Sequence, residues 1–221
     1  MAYFNKYVKP GALEVYVGPM FSGKTAALID RIKRIKEFVE GYDVLIIKPK
    51  IDTRDKGLKS KNGKEILPAI FLPEDKPELI IDQIAIYYKK NTPKYLQQGK
   101  TSADNLVIAI DEVQFFDKSI VGIVDRLVLN NYNVLVSGLP LDFKGESFGC
   151  MPDLMAIEDE IYSFTAVCAY PGCNNAATRT QRLINGEPAH YDSDVNIIEG
   201  SDKLITYEAR CRKHHFVPGK K

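Results

Sequence analysis

The chain has 221 residues, of which 45% are hydrophobic and 27% charged, with 30 Lys and Arg against 29 Asp and Glu. At about 100–200 residues per domain, that length holds one sizeable core and a small appendage. A formal net charge of +1 gives no general attraction to nucleic acid or to an anionic membrane surface. The opening "MAYFNKYVKPGA" lacks the unbroken apolar run of a secretory signal, and no later stretch reaches the roughly 18 apolar residues that span a bilayer. The expectation is a cytoplasmic protein with neither a membrane nor a nucleic-acid partner.

In chain order, "LEVYV" (Leu13 to Val17) reads as a short strand, and after a glycine loop Leu28, Ile32, Ile35 and Val39 recur at helical spacing, with Gly41 suited to the helix end. A second strand, "VLII" (Val44 to Ile47), is expected to stop at Lys48-Pro49, because proline donates nothing to a ladder and biases its predecessor. "ELIIDQIAIYYKK" reads as a helix between polar surface loops. "NLVIAI" (Asn105 to Ile110) is apolar on both faces, as a buried parallel strand should be, and delivers Asp111-Glu112. Asp117 is placed to cap a helix through Leu127, and "NVLVSG" (Asn133 to Gly138) supplies another strand. Strand and helix alternate, which predicts an α/β fold: a mostly parallel sheet flanked by helices, with ligands beyond the carboxyl ends of the strands.

"GPMFSGKT" (Gly18 to Thr25) fits the G-x-x-x-x-G-K-[ST] pattern at every fixed position, with the strand before and the helix after that the pattern needs. Gly18 and Gly23 would let the loop of Gly18, Pro19, Met20, Phe21, Ser22 and Gly23 turn so that its available N–H groups point inward as an anion nest at a helix N-terminus, Pro19 having none to give. Lys24 would reach the terminal phosphates and the Thr25 hydroxyl would ligate Mg²⁺. Asp111, at the end of an apolar strand beside that loop, is where a nucleotide-bound Mg²⁺ needs a carboxylate. Glu112 is one residue further on and can accept a proton, either from water or from a substrate hydroxyl; the pattern by itself leaves NTPase and kinase both open.

Late in the chain, Cys168 and Cys173 flank "AYPG", a turn that brings two thiolates together, and Cys211 is followed by His214 and His215. Two local pairs of soft and borderline ligands are what tetrahedral Zn²⁺ takes, with His214 favoured over His215 by spacing. Cys150 reads as a small buried side chain and His190 as a surface residue. The polar stretch between the two pairs has too few apolar residues to fold unaided, and metal binding would supply the missing stability.

Six blocks in register, "GPMFSGKT", "KPKIDTR", "IDEVQFF", "LDFKGESFG", "ATRTQRLINGEPAHY" and "YEARCRKHH", resemble the tetrameric, zinc-containing thymidine kinases. The resemblance covers roughly Leu13 to His215. It implies a P-loop NTPase-like domain over 1–163 and a zinc-binding domain over 164–221 whose "lasso" loop closes on the nucleoside. It implies transfer of the γ-phosphoryl of ATP to the 5′-hydroxyl of thymidine or deoxyuridine, with Glu112 as general base. Lys24, Thr25, Asp52 and Arg54 would form the phosphate and Mg²⁺ group, with Asp111 and Gln114 beside them. Asn196, Ile197, Ile198, Glu199 and Gly200, with Tyr207, would grip the base, while Met20, Leu141, Phe143 and Phe148 would wall the pocket. Cys168, Cys173, Cys211 and His214 would hold Zn²⁺, in a Cys-x₄-Cys spacing where the family usually has Cys-x₂-Cys. A homotetramer is implied as well.

Two competing classes are weighed against that reading. A nucleic-acid-dependent ATPase with a zinc module predicts a basic, aromatic module, whereas Asp192, Asp194, Glu199, Asp202 and Glu208 are interspersed among the late basic residues. A nucleotide-binding regulator that turns nothing over would leave Glu112 idle.

Overall fold

The computed structural model describes residues 8–52, 56–59, 66–96, 106–196 and 204–221. In chain order the first part gives β1 (Leu13–Val17), α1 (Lys24–Phe38), β2 (Asp43–Pro49), β3 (Ile70–Leu72), α2 (Leu79–Leu96), β4 (Leu106–Ile110), α3 (Ile120–Leu129), β5 (Asn133–Gly138), α4 (Met151–Ala156) and β6 (Glu160–Ser163). The strands form one six-stranded sheet in the order β3-β2-β4-β5-β1-β6, and every pairing in it is parallel. Burial on both faces explains why the central strands read as continuous apolar runs. Leu13, Val15 and Val17 join α2, α3 and α4 on one face, whereas Tyr16 joins Leu28, Ile32 and Ile35 of α1 on the other. The same period of two divides Leu45 and Ile47 from Val44 and Ile46.

Strand β2 runs through Pro49, two residues past the expected stop at Ile47. Lys50 N–H donates to Leu72 O at 2.9 Å, so alternate donors of β2 serve β3 and the Pro49 nitrogen faces the β4 side. There β4 has already ended, opposite Ile47, and the missing donor costs no ladder bond. Asp117 does not itself cap α3; its Oδ1 accepts the Ser119 N–H at 2.9 Å in a turn just ahead of the helix.

The remaining strands are β7 (Ala166–Val167), β8 (Ala176–Ala177), β9 (Arg179–Ile184), β10 (Glu187–Pro188) and β11 (Ile205–Arg210). They make a two-stranded β7-β8 hairpin and a three-stranded antiparallel sheet, β10-β9-β11. Side chains of β9 bridge to the first part: Thr180 Oγ1 accepts the Met20 N–H of the glycine loop at 3.0 Å. No helix among the described residues is long and apolar enough to cross a membrane.

Candidate active site

The loop between β1 and α1 has its shape for steric reasons. A Cβ on Gly18 would come within 2.5 Å of Ser22 Oγ and 2.7 Å of Phe164 O, and Gly23 sits at φ +88°, a region that side chains disfavour. Phe21 also has positive φ. Helix α1 therefore starts at Lys24 with no side-chain cap and no acidic residue in its first turn, so its N–H groups face the loop without a negative partner. Ser22 Oγ is buried there without a hydrogen-bond partner among the described residues. Lys24 is buried and Thr25 partly so.

At the carboxyl end of β4, Asp111 is 2% exposed and its Oδ1 also has no hydrogen-bond partner among the described residues. Burial and the neighbouring Glu112 carboxylate raise the Asp111 pKa to about 6, against the opposing pull of Lys48 and Lys24. Glu112 is 6% exposed and held in the left-handed region at φ 52°, ψ 39°, an uncommon and costly conformation for a non-glycine residue. Its Oε2 accepts from Gln114 Nε2 at 2.5 Å, and Gln114 Oε1 in turn accepts the Leu139 N–H at 3.1 Å. Gln114, expected beside the nucleotide, is thus engaged at both ends by protein and fixes the direction of Glu112. Asp52 is buried at the end of β2 and pairs with Lys48 Nζ at 2.7 Å. Arg54 lies outside the described residues.

Glu112 and Asp52 open into a pocket of about 620 Å³, its mouth included, lined by Met20, Phe115, Leu139, Leu141, Phe143, Phe148 and, from β9 and β11, Thr180, Arg182 and Tyr207. Phe115 and Phe148 meet edge to face, with centroids 5.5 Å apart. All four expected wall residues and Tyr207 are brought together here. Asn196 is exposed, and Ile197, Ile198, Glu199 and Gly200 lie outside the described residues. Sequence reasoning missed Phe115, Leu139, Asp142, Thr180, Arg182 and Val195 among the lining. A charged residue inside the strand-like "TQRLI" was the available signal for Arg182.

Cys168, Cys173, Cys211 and His214 place their ligand atoms within 4.8 Å of one another. The nearer pairs are Cys211 Sγ to His214 Nδ1 at 3.5 Å, Cys168 Sγ to His214 Nδ1 at 3.7 Å and Cys173 Sγ to Cys211 Sγ at 4.0 Å. Four ligands about 2.3 Å from a tetrahedral centre stand roughly 3.8 Å apart, so the donor set fits a zinc-sized ion. Burial pushes the Cys168 thiol up, but backbone N–H groups and hydrogen bonds with His214 and Cys173 outweigh it and bring the pKa down to about 6. His215 points away; its Nε2 donates to Phe143 O at 2.9 Å. Cys150 is fully buried, with its thiol 3.2 Å from Val113 O, and His190 is exposed beside Asp192.

The thymidine kinase family model matches residues 11–215. The chain belongs to the thymidine kinase family. It is 40% identical over 212 residues to the thymidine kinase of Coprothermobacter proteolyticus (strain ATCC 35245 / DSM 5265 / OCM 4 / BT), covering 95% of this chain and 93% of that one. Among solved structures, the crystal structure of the DnaC helicase loader covers 73% of this chain and 82% of its own at a TM-score of 0.36 and 12% identity. As a member of the thymidine kinase family the protein is a transferase that phosphorylates thymidine with ATP in nucleotide salvage. The nucleic-acid-dependent ATPase is set aside by the same match.

Proposed function

We propose that the aromatic pocket takes the nucleoside with its 5′-hydroxyl at Glu112, and that the β1–α1 loop holds the ATP phosphates opposite. The observation that carries this is Glu112 itself: buried, held left-handed, bonded by Gln114 and lining the same pocket as Met20 of the loop. In the transfer, the 5′-oxygen bonds to the γ-phosphorus, the bond from that phosphorus to the β,γ-bridging oxygen breaks, ADP leaves and the hydroxyl proton passes to a Glu112 oxygen. Lys24 and the N–H groups of the loop neutralise charge on the phosphoryl oxygens. Thr25 and Asp111 are the groups that would hold Mg²⁺, which supplies further charge neutralisation when bound; the unpartnered Asp111 Oδ1 fits that role. Asp52 and Arg54 complete the group in this reading.

Deoxyuridine is a second substrate on this reading, since it carries the same 5′-hydroxyl and lacks only the 5-methyl group of the base. Residues 196–200 grip the base, and Cys168, Cys173, Cys211 and His214 hold a structural Zn²⁺. The division into 1–163 and 164–221, the homotetramer and the cytoplasmic location belong to the same proposal.

Glu112→Gln tests it. The amide keeps shape but accepts no proton, so phosphorylation of thymidine should fall by about 10²–10⁴-fold while ATP affinity stays within a few fold. Turnover near that of the unaltered enzyme, measured with labelled ATP, would refute the base assignment.

A further inference from the structure

Arg182 is an arginine in the middle of a strand, 2% exposed. Among the described residues it has no carboxylate within ion-pair distance. Its guanidinium is satisfied otherwise: Nε donates to the Tyr207 hydroxyl at 3.1 Å, and the two terminal nitrogens donate to the backbone carbonyls of Asp194 and Val195. The guanidinium carbon lies over the Phe143 ring, 4.1 Å from its centroid, and over that of Tyr207 at 5.4 Å. Tyr207 is its direct partner across the β9–β11 ladder. One side chain therefore touches three separate parts of the pocket: the loop after β5 through Phe143, the strand β11 through Tyr207, and the chain leading to residue 196 through two carbonyls.

Only arginine has this reach, because its five N–H donors are fixed in a plane whose faces stay free for rings. Burying a cation without a carboxylate is costly, and packing alone gives no reason to retain one here. The geometry points to Arg182 as a positioning residue that sets the 194–195 segment and Tyr207 against Phe143, and so determines how tightly the pocket closes on the nucleoside. This rests on the nucleoside reading of the pocket. Thr180, two residues earlier on β9, lines the same pocket but bonds the glycine loop at the Met20 N–H, a contact that Arg182 does not share.

The test compares the full-length enzyme with Arg182→Met and Arg182→Lys, by steady-state kinetics and by amide hydrogen exchange with and without thymidine. The expected result is a thymidine KM raised at least tenfold in Arg182→Met, an ATP KM within twofold, and kcat reduced less than KM is raised. Thymidine should slow exchange around 139–148 and 194–195 in the unaltered enzyme, and that protection should be lost in the variant. Arg182→Lys keeps the cation over Phe143 but lacks the fork, so it should fold and give an intermediate KM. If Arg182→Met fails to fold, Arg182→Lys decides alone, with at least a threefold rise in thymidine KM expected. Equal protection and unchanged thymidine KM in a folded variant would overturn the positioning role while leaving the pocket assignment intact. Absence of protection in the unaltered enzyme would overturn both.

Discussion

Asp111 carries its charge where burial resists one. Its pKa lies near 6 rather than 3.8, so between those values the folded protein binds more protons than the unfolded chain, and stability falls as pH rises through that window. Above it the loss is complete. Asp111→Asn should therefore stabilise the nucleotide-free protein at pH 7.5 by on the order of 1 kcal/mol, or about 2–4 °C at this chain length. The gain should vanish below about pH 4, where the native carboxyl is also neutral. Phosphorylation should be abolished in the same variant, and a melting curve identical to that of the unaltered protein at pH 7.5 would show that the charge costs nothing. Asp111 and Glu112 were legible in the sequence because an apolar strand delivers them beside a phosphate-loop pattern. The roles of Gln114 and Lys48 were not, because each acts through a tertiary contact, Gln114 on Glu112 and Lys48 on Asp52.

At the level of elements, the glycine loop's strand and helix are tied together beneath the surface by one ion pair. Arg31 of α1 meets Glu14 of β1 at 2.7 and 3.0 Å, both side chains under 5% exposed, and Glu14 also accepts from the Tyr16 hydroxyl at 2.9 Å. Removing one member leaves the other charge buried, a loss of about 3–5 kcal/mol. Arg31→Met should then lower the melting temperature by roughly 10 °C, and adding Glu14→Gln should recover most of it. Failure of the second change to rescue would place the loss in packing rather than charge. The parallel strands around this pair were readable because burial on both faces writes a continuous apolar run. Strands β3, β7, β8 and β10 were not, being only two or three residues long. The six residues of β9, "RTQRLI", lack any apolar period because Thr180, Gln181 and Arg182 are buried by hydrogen bonding instead.

Across the whole molecule, the Cys168–Cys173–Cys211–His214 cluster proposed to hold zinc and the pocket proposed for the nucleoside are joined through a few polar bonds, and the β1–α1 loop is further along that network, reached through Thr180. His215, next to His214, holds the Phe143 carbonyl, while Phe216 exchanges two hydrogen bonds of 2.9 Å with the Gln181 amide on β9. The hydrophobic cluster around Cys168, Ala177, Ala209 and Cys211 is small, so it offers little stability once the ligands separate. The sheet strands that carry the loop and Asp111 are instead locked in the large core. Loss of metal should accordingly reach the pocket wall first and leave the loop formed. Cys173→Ser removes one thiolate from the proposed set, so the zinc content by elemental analysis, expected at one per chain in the unaltered protein, should fall to well under half. Thymidine affinity by calorimetry should weaken by at least tenfold, with ATP affinity changed no more than threefold. Retention of a full equivalent of zinc would mean that the ligand set is wrong, and a parallel loss of both affinities would mean that the two ends of the molecule unfold as one.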